Sequence, residues 1–267
     1  MSNRLKSGLD RAFAPLKAWA QLKSAEKRGS DLETLDAKLN FEPAGAAKAD
    51  RQANERDAMV TAQIAYRGIR DPEILAAMRK LPRHEFVPES IKDQAYADGA
   101  LPIGHGQTIS QPYIVALMTE VLRPTRDCRV LEIGTGCGYQ SAVLAALCRK
   151  VYSIEIVASL ADETRHRLAR LGIDNVEIRT ADGYRGWKEE APFDRIIVTA
   201  APDHLPEHLL GQLLEGGRMI IPIGAGSQEL MVYRLADGRI DANRLIPVRF
   251  VPMTGEADAS NKRSPAG

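Results

Sequence analysis

Three glycines at alternate positions close an apolar run, Val130-Leu131-Glu132-Ile133-Gly134-Thr135-Gly136-Cys137-Gly138. A helix-like segment, Tyr139 to Cys148, follows at once. The pattern reads as strand, tight turn and helix, whose first N–H groups are available to a polar ligand. Glycine permits the turn and removes the Cβ that would hold a ligand away. The next apolar strand, Val151-Tyr152-Ser153-Ile154, ends in Glu155, 21 residues beyond Gly134. A carboxylate there can accept hydrogen bonds from both hydroxyls of a ribose. A third candidate, Ser110, stands before Gln111-Pro112-Tyr113 and an apolar-periodic stretch to Leu122. Read as an N-cap, its hydroxyl oxygen accepts a backbone N–H, while its own O–H and the helix N-terminus behind it can hold an anion such as a carboxylate.

These residues need a scaffold, and the chain supplies alternating α and β signals. Asp162 to Leu171 reads as a helix closed by Gly172. Val176 to Thr180 reads as a strand with Asp182-Gly183 at its end, where ligands of open α/β sheets lie. Asp182 is therefore expected to meet the base of a nucleotide, with Gly183 beside it. Arg195 to Thr199 is a fourth strand running into Ala200-Ala201-Pro202. Thr199 at its carboxyl end is a further ligand contact, and the small residues after it leave room. Arg218 to Ile223 is a fifth strand; Glu229 to Leu235, Asp237-Gly238 and Arg239-Ile240 form a hairpin; Val248 to Pro252 is a last strand. Upstream, Glu55 to Tyr66 reads as a helix, and Asp71-Pro72 starts another that stops before Pro82. Pro82 to Pro88 is expected to be extended. Tyr96 to Pro112 is expected to be a loop, turning at Gly104-His105-Gly106.

Composition excludes several classes. With 36 Lys+Arg against 35 Asp+Glu, the net charge of +1 gives no global steering toward nucleic acid. Cys128, Cys137 and Cys148 are the only cysteines; their spacing matches no zinc motif, and an odd number argues against a disulfide framework. Reduced thiols and a cytoplasmic location are expected. No apolar run is long enough to cross a membrane, and the N-terminus lacks the core of a secretory signal. His84 between two prolines reads as a structural hydrogen-bonder. His204 and His208 have i,i+4 spacing, but Pro206 intervenes and no third ligand is apparent, so no metal is expected.

Residues 1–54 differ from the rest. Leu5, Leu9, Phe13, Leu16 and Trp19 recur at helical spacing, with a mostly basic opposite side. Such a helix could dock on a partner or lie on an anionic membrane surface; the plainer reading is a weakly ordered extension or a helix packed on its own domain. Residues 41–54 look like a linker. The expected layout is an extension over 1–54, one domain over 55–255 and a polar tail over 256–267.

Glu132-x-Gly134-x-Gly136-x-Gly138 resembles motif I of the class I S-adenosylmethionine-dependent methyltransferases. Together with Gln107-Thr108-Ile109-Ser110-Gln111-Pro112-Tyr113, Ser153-Ile154-Glu155, Pro82 to Pro88, Ile196 to Ala201, Gly216 to Gly224 and Val248 to Gly255, it resembles protein-L-isoaspartate O-methyltransferases of the bacterial type. The likeness runs from about Met59 to Gly255. Two positions depart from it: Cys137 stands where a smaller residue such as serine is usual, and Ile156 follows Glu155 where arginine is usual.

The resemblance implies a Rossmann-like α/β/α sandwich, mostly parallel, with an antiparallel C-terminal hairpin. It implies methyl transfer from S-adenosyl-L-methionine to the free α-carboxylate of an L-isoaspartyl residue, leaving S-adenosyl-L-homocysteine and requiring no metal. The ester would collapse to a succinimide, whose hydrolysis returns some aspartyl linkages: protein repair. Glu132, Gly134, Gly136, Gly138, Glu155, Asp182, Gly183 and Thr199 would hold the cofactor. Gln107, Thr108, Ile109 and Ser110 would hold the isoaspartyl peptide, with Ser110 orienting its carboxylate. The rival readings are a methyltransferase of another substrate on the same sheet and a cofactor-binding interaction protein with little catalysis.

Overall fold

The computed structural model describes residues 46–257. The predicted N-terminal amphipathic helix and nearly all of the predicted polar tail lie outside them.

The first helix, α1 (Ala46–Ala58), runs into a π-helical turn over Met59–Ala65. It begins inside the stretch read as a linker. The alanine-rich sequence Ala-Ala-Lys-Ala-Asp-Arg-Gln-Ala-Asn has high intrinsic helix propensity, which outweighs its low apolar content. Helix α2 (Pro72–Lys80) starts as expected: Asp71 Oδ1 accepts from the N–H groups of Glu73 and Ile74 at 3.1 and 3.3 Å. The Pro82 to Pro88 segment is not extended throughout. Residues Arg83–Phe86 form a 3-10 turn, closed by Glu85 N–H donating to Pro82 O at 2.8 Å. Burial of Arg83, His84 and Phe86 drives that turn inward.

The expected loop before Ser110 is a short antiparallel hairpin, β1 (Leu101–Gly104) and β2 (Gln107–Ile109). Its turn falls where predicted, with Gly104, His105 and Gly106 all at positive φ. Helix α3 (Pro112–Leu122) follows and is buried over nearly its whole length.

The main sheet comprises β3 (Arg129–Ile133), β4 (Lys150–Glu155), β5 (Val176–Thr180), β6 (Phe193–Val198), β7 (Leu213–Ile223), β8 (Gln228–Ala236) and β9 (Arg239–Val248). Their spatial order is β5-β4-β3-β6-β7-β8-β9. The first five in that order run parallel and the last two form an antiparallel meander. Helices α4 (Tyr139–Leu147) and α5 (Ala158–Arg170) cross between parallel strands, as such strands require. A one-turn helix, α6 (Glu207–Leu210), precedes β7.

Strand parity divides the core. Val130, Val151, Ile197 and Ile220 face the layer of the π-helical turn and helices α2 to α5. Leu131, Ile133, Ile154, Ile196 and Val198 face a smaller layer built around Trp187, Leu209 and Met253. The sheet is thus flanked on both faces. Val248 to Pro252 is not a separate strand: β9 extends through Val248, and Pro252 makes a single parallel bridge with Ala201.

Candidate active site

Because β3, β4 and β6 are parallel, their carboxyl ends open on the same side. The glycine turn sits there. Gly134 N–H donates to Ile154 O at 2.9 Å, and Gly136 N–H to Glu155 Oε2 at 2.8 Å. Both glycines hold left-handed backbone, φ 94° and 54°. A Cβ on Gly134 would collide with Thr199 Oγ1. One on Gly136 would meet nothing nearer than Ile103 Cδ1 at 3.7 Å, because this residue faces open space.

That space is a cleft of about 830 Å³, its mouth included, lined by Gly134, Gly136, Glu155, Gly183 and Thr199 of the predicted cofactor residues. Gln107, Thr108, Ile109 and Ser110 complete the opposite wall. Residues far apart in the chain therefore meet in one cavity. Glu155 is fixed within it: Oε2 accepts from Gly136 and Oε1 from Val157 N–H at 3.0 Å. A carboxylate can accept about four hydrogen bonds, so capacity remains for ligand hydroxyls. Of the described residues on the wall, Glu155 is the one carboxylate; no Lys, Arg or His is among them. Burial pushes the Cys137 thiol up and the Tyr139 phenol up to about 12, so both wall groups are neutral at pH 7.

Three predicted cofactor residues do not reach the cavity wall. Glu132 is fully buried. Strand parity turns it to the α4 side, where its Oε2 accepts from Ser153 Oγ at 2.7 Å and from Ser141 Oγ. Ser153 Oγ is also hydrogen-bonded to Thr135 Oγ1 at 2.6 Å, so Glu132 braces the glycine turn from behind. Burial raises its pKa to about 7, against the opposing hydrogen bonds from Ser141 and Ser153 and with a smaller push from the Glu155 charge. Gly138 begins α4 and packs on α5, where an added Cβ would lie 2.6 Å from Thr164 Cγ2. Asp182 acts as a cap: its Oδ1 accepts from Tyr184 N–H at 2.9 Å and its Oδ2 from Glu256 N–H at 2.7 Å. Each oxygen accepts one bond, as in Glu155, so acceptor capacity remains, though the residue does not line the cleft.

Ser110 is not the N-cap. Helix α3 begins at Pro112 with Gln111 in the cap position, and no side chain caps it. Proline presets φ at the first helical position and so fixes the helix start at Pro112, one residue later than a Ser110 cap requires. Ser110 lies one residue further out, and its hydroxyl makes no hydrogen bond within the described residues; its carbonyl accepts from Arg83 Nη2 at 2.8 Å. A second recess of about 990 Å³, shared with open solvent, adjoins the cleft and is lined by Thr108, Ser110, Gln111, Thr199 and Pro247 to Val251. Ser110 and Thr199 therefore border both spaces.

Residue-level reading missed part of the wall. Val251 to Thr254 closes one side, held by Ala201 N–H donating to Val251 O and Met253 N–H donating to Ala201 O, both at 2.8 Å. The family likeness at Val248 to Gly255 flagged this stretch without a role for it. Cys137, Tyr139, Gln140 and Ile156 also line the cleft, and their position inside the turn and at the next strand end is the signal that could have found them.

His84 is a structural group, its Nδ1 hydrogen-bonded to Tyr96 Oη at 2.6 Å. His204 Nε2 is hydrogen-bonded to Tyr184 Oη at 2.8 Å. Among the described residues no group of three His, Cys, Asp or Glu is arranged to hold a metal.

The family model for protein-L-isoaspartate(D-aspartate) O-methyltransferase matches residues 54–258. The protein-L-isoaspartate O-methyltransferase of Picosynechococcus sp. is 48% identical over 219 residues, covering 82% of this chain and 99% of the relative. That of Opitutus terrae is 54% identical over 215 residues, covering 80% and 92%. A solved protein-L-isoaspartate O-methyltransferase is similar at TM-score 0.71 and 31% identity, over 78% of this chain and 69% of that one. A Plasmodium falciparum chain assigned to the same enzyme, solved with S-adenosyl-L-homocysteine, is similar at TM-score 0.66 and 28% identity, over 74% and 98%.

Proposed function

The chain belongs to the protein-L-isoaspartate(D-aspartate) O-methyltransferase family, and we propose that it repairs damaged proteins by methylating the free α-carboxylate of L-isoaspartyl residues. The observation that carries this reading is the single cleft shared by Ser110, Glu155 and Gly136. S-Adenosyl-L-methionine supplies a methyl group already activated as a sulfonium.

The cleft fits that cofactor. Gly136 presents a face with no Cβ, Glu155 has acceptor capacity for ribose hydroxyls, and Thr199 and Ala200 leave the floor small. Gly134 belongs to the same role through its packing on Thr199. Glu132 supports the turn from outside the cavity, and Asp182 holds the wall beside Gly183.

A carboxylate substrate is ionised at pH 7, so it needs no base. What the residues supply is placement and exclusion of water. Ser110 donates its O–H to the carboxylate without attacking. Gln107, Thr108 and Ile109, on an edge strand of the hairpin, hold the peptide on either side of it. The outer recess gives the protein chain a way in. The methyl ester then closes to a succinimide, whose hydrolysis restores part of the aspartyl linkages.

This reading places the protein in the cytoplasm, in keeping with Cys128, Cys137 and Cys148 being buried thiols. It assigns 55–255 to the catalytic domain and 1–54 to an accessory role. The test is methyl transfer to paired synthetic peptides, one isoaspartyl and one aspartyl. Transfer to the first alone is expected; cofactor binding with no transfer to either would overturn the reading.

A further inference from the structure

We infer that Arg83 is a positioning residue for the substrate-binding wall, holding the Ser110 segment in register with the cleft. Arg83 is fully buried. Its Nε donates to Ala95 O and its Nη2 to Ser110 O, both at 2.8 Å. Its guanidinium carbon lies 4.8 Å from the centre of the Tyr139 ring. Ser110 and Tyr139 both line the cleft, and Arg83 stands behind them.

Two features set this contact apart from ordinary core packing. First, no carboxylate pairs with Arg83 among the described residues. A buried cation without a counter-ion is costly, and a hydrophobic side chain of similar size would commonly do better as filler. Second, the fork joins segments remote in sequence: the turn after α2, the stretch at Ala95, and Ser110 two residues before α3. Ser110 has no cap bond of its own to fix it. The guanidinium fork therefore fixes the Ser110 backbone against the cleft, because planar, rigid donors hold two acceptors at once. Its charge also favours an anion arriving on the far side of Ser110.

The inference rests on the proposed reaction, so its test is built to separate the two. Arg83→Met and Arg83→Lys are compared with the parent protein for peptide KM, kcat and S-adenosyl-L-homocysteine Kd. The parent must first methylate the isoaspartyl peptide; failure there sinks the reaction and not the role of Arg83 alone. In Arg83→Met, kcat/KM for the peptide is expected to fall roughly thirtyfold, mostly through KM, with Kd for S-adenosyl-L-homocysteine held within about twofold. Arg83→Lys, which keeps the charge and one donor, provides the same reading should the methionine variant fail to fold. Unchanged peptide kinetics overturns the inference. So does an equal weakening of peptide and S-adenosyl-L-homocysteine, which would mark general loosening of the cleft. If neither variant folds, shown by the loss of a cooperative thermal transition, Arg83 is architectural and the inference falls.

Discussion

Gly136 N–H donates to Glu155 Oε2 at 2.8 Å, tying the tip of the glycine turn to the end of the neighbouring strand. The carboxylate proposed to bind the ribose is thus also the group that shapes the turn. Replacing Glu155 with alanine removes both functions. The Kd for S-adenosyl-L-homocysteine should rise at least about thirtyfold, or roughly 2 kcal/mol. Calorimetric titration reads this directly, and a change below threefold would remove Glu155 from cofactor binding.

Ser110→Ala should act on turnover and spare the cofactor. A hydrogen bond to a charged group contributes about 1.5–3 kcal/mol, which is roughly ten- to a hundredfold in rate. The Ser110 hydroxyl has no partner in the described structure, so its removal leaves the fold unstrained. Normal turnover in that variant, at normal cofactor affinity, would exclude it from the mechanism.

Two glycine substitutions should separate folding from binding. Gly134→Ala sets a Cβ against Thr199 at φ 94°, so it should lower Tm clearly. Gly136→Ala meets open space at φ 54° and should cost only about 1–2 kcal/mol of stability. Its methyl group occupies the ligand face, so the second variant should lose S-adenosyl-L-homocysteine affinity at least about tenfold while remaining folded. Thermal denaturation with and without S-adenosyl-L-homocysteine measures both effects.

Glu132 should make stability depend on pH. Its folded pKa is raised to about 7 from an ordinary carboxyl value of 4.5. The folded state therefore binds more protons than the unfolded one between those values. The associated stability is complete below about pH 4.5, is lost as pH rises through 7, and amounts to roughly 3 kcal/mol. Glu132→Gln keeps acceptors for Ser141 and Ser153 without the charge. It should flatten the fall in Tm between pH 5 and about 8; an unaltered slope would show that Glu132 does not titrate there.

Much of this was legible in the chain. The apolar runs at β3, β4 and β6, the three glycines and Glu155 follow from parallel-strand burial and turn chemistry, which are local rules. The Asp71 cap and the glycine turn of the β1–β2 hairpin were equally local. Errors arose where context outweighed local preference. Ser110 looked like a cap by spacing, but the helix starts at Pro112 with Gln111 in the cap position, which leaves Ser110 one residue outside. Asp182 pointed to a ligand by position; its carboxylate caps the turn, accepting from the backbone of Tyr184 and of Glu256, 74 residues away, and does not line the cleft. Residues 46–54 seemed too polar for structure, yet their alanine content makes them helical.

The sequence by itself determined the sheet class and the glycine turn, because periodicity and glycine spacing are properties of short segments, and its thread of motifs carried the likeness to the family. Only the tertiary structure decided that Glu132 faces α4, that Val251 to Thr254 closes the cleft, and that Arg83 stands behind Ser110. Those depend on strand parity and on contacts between segments far apart in the chain. Such contacts leave no local signal; they exist once the core has packed and brought the carboxyl ends of the strands to one side.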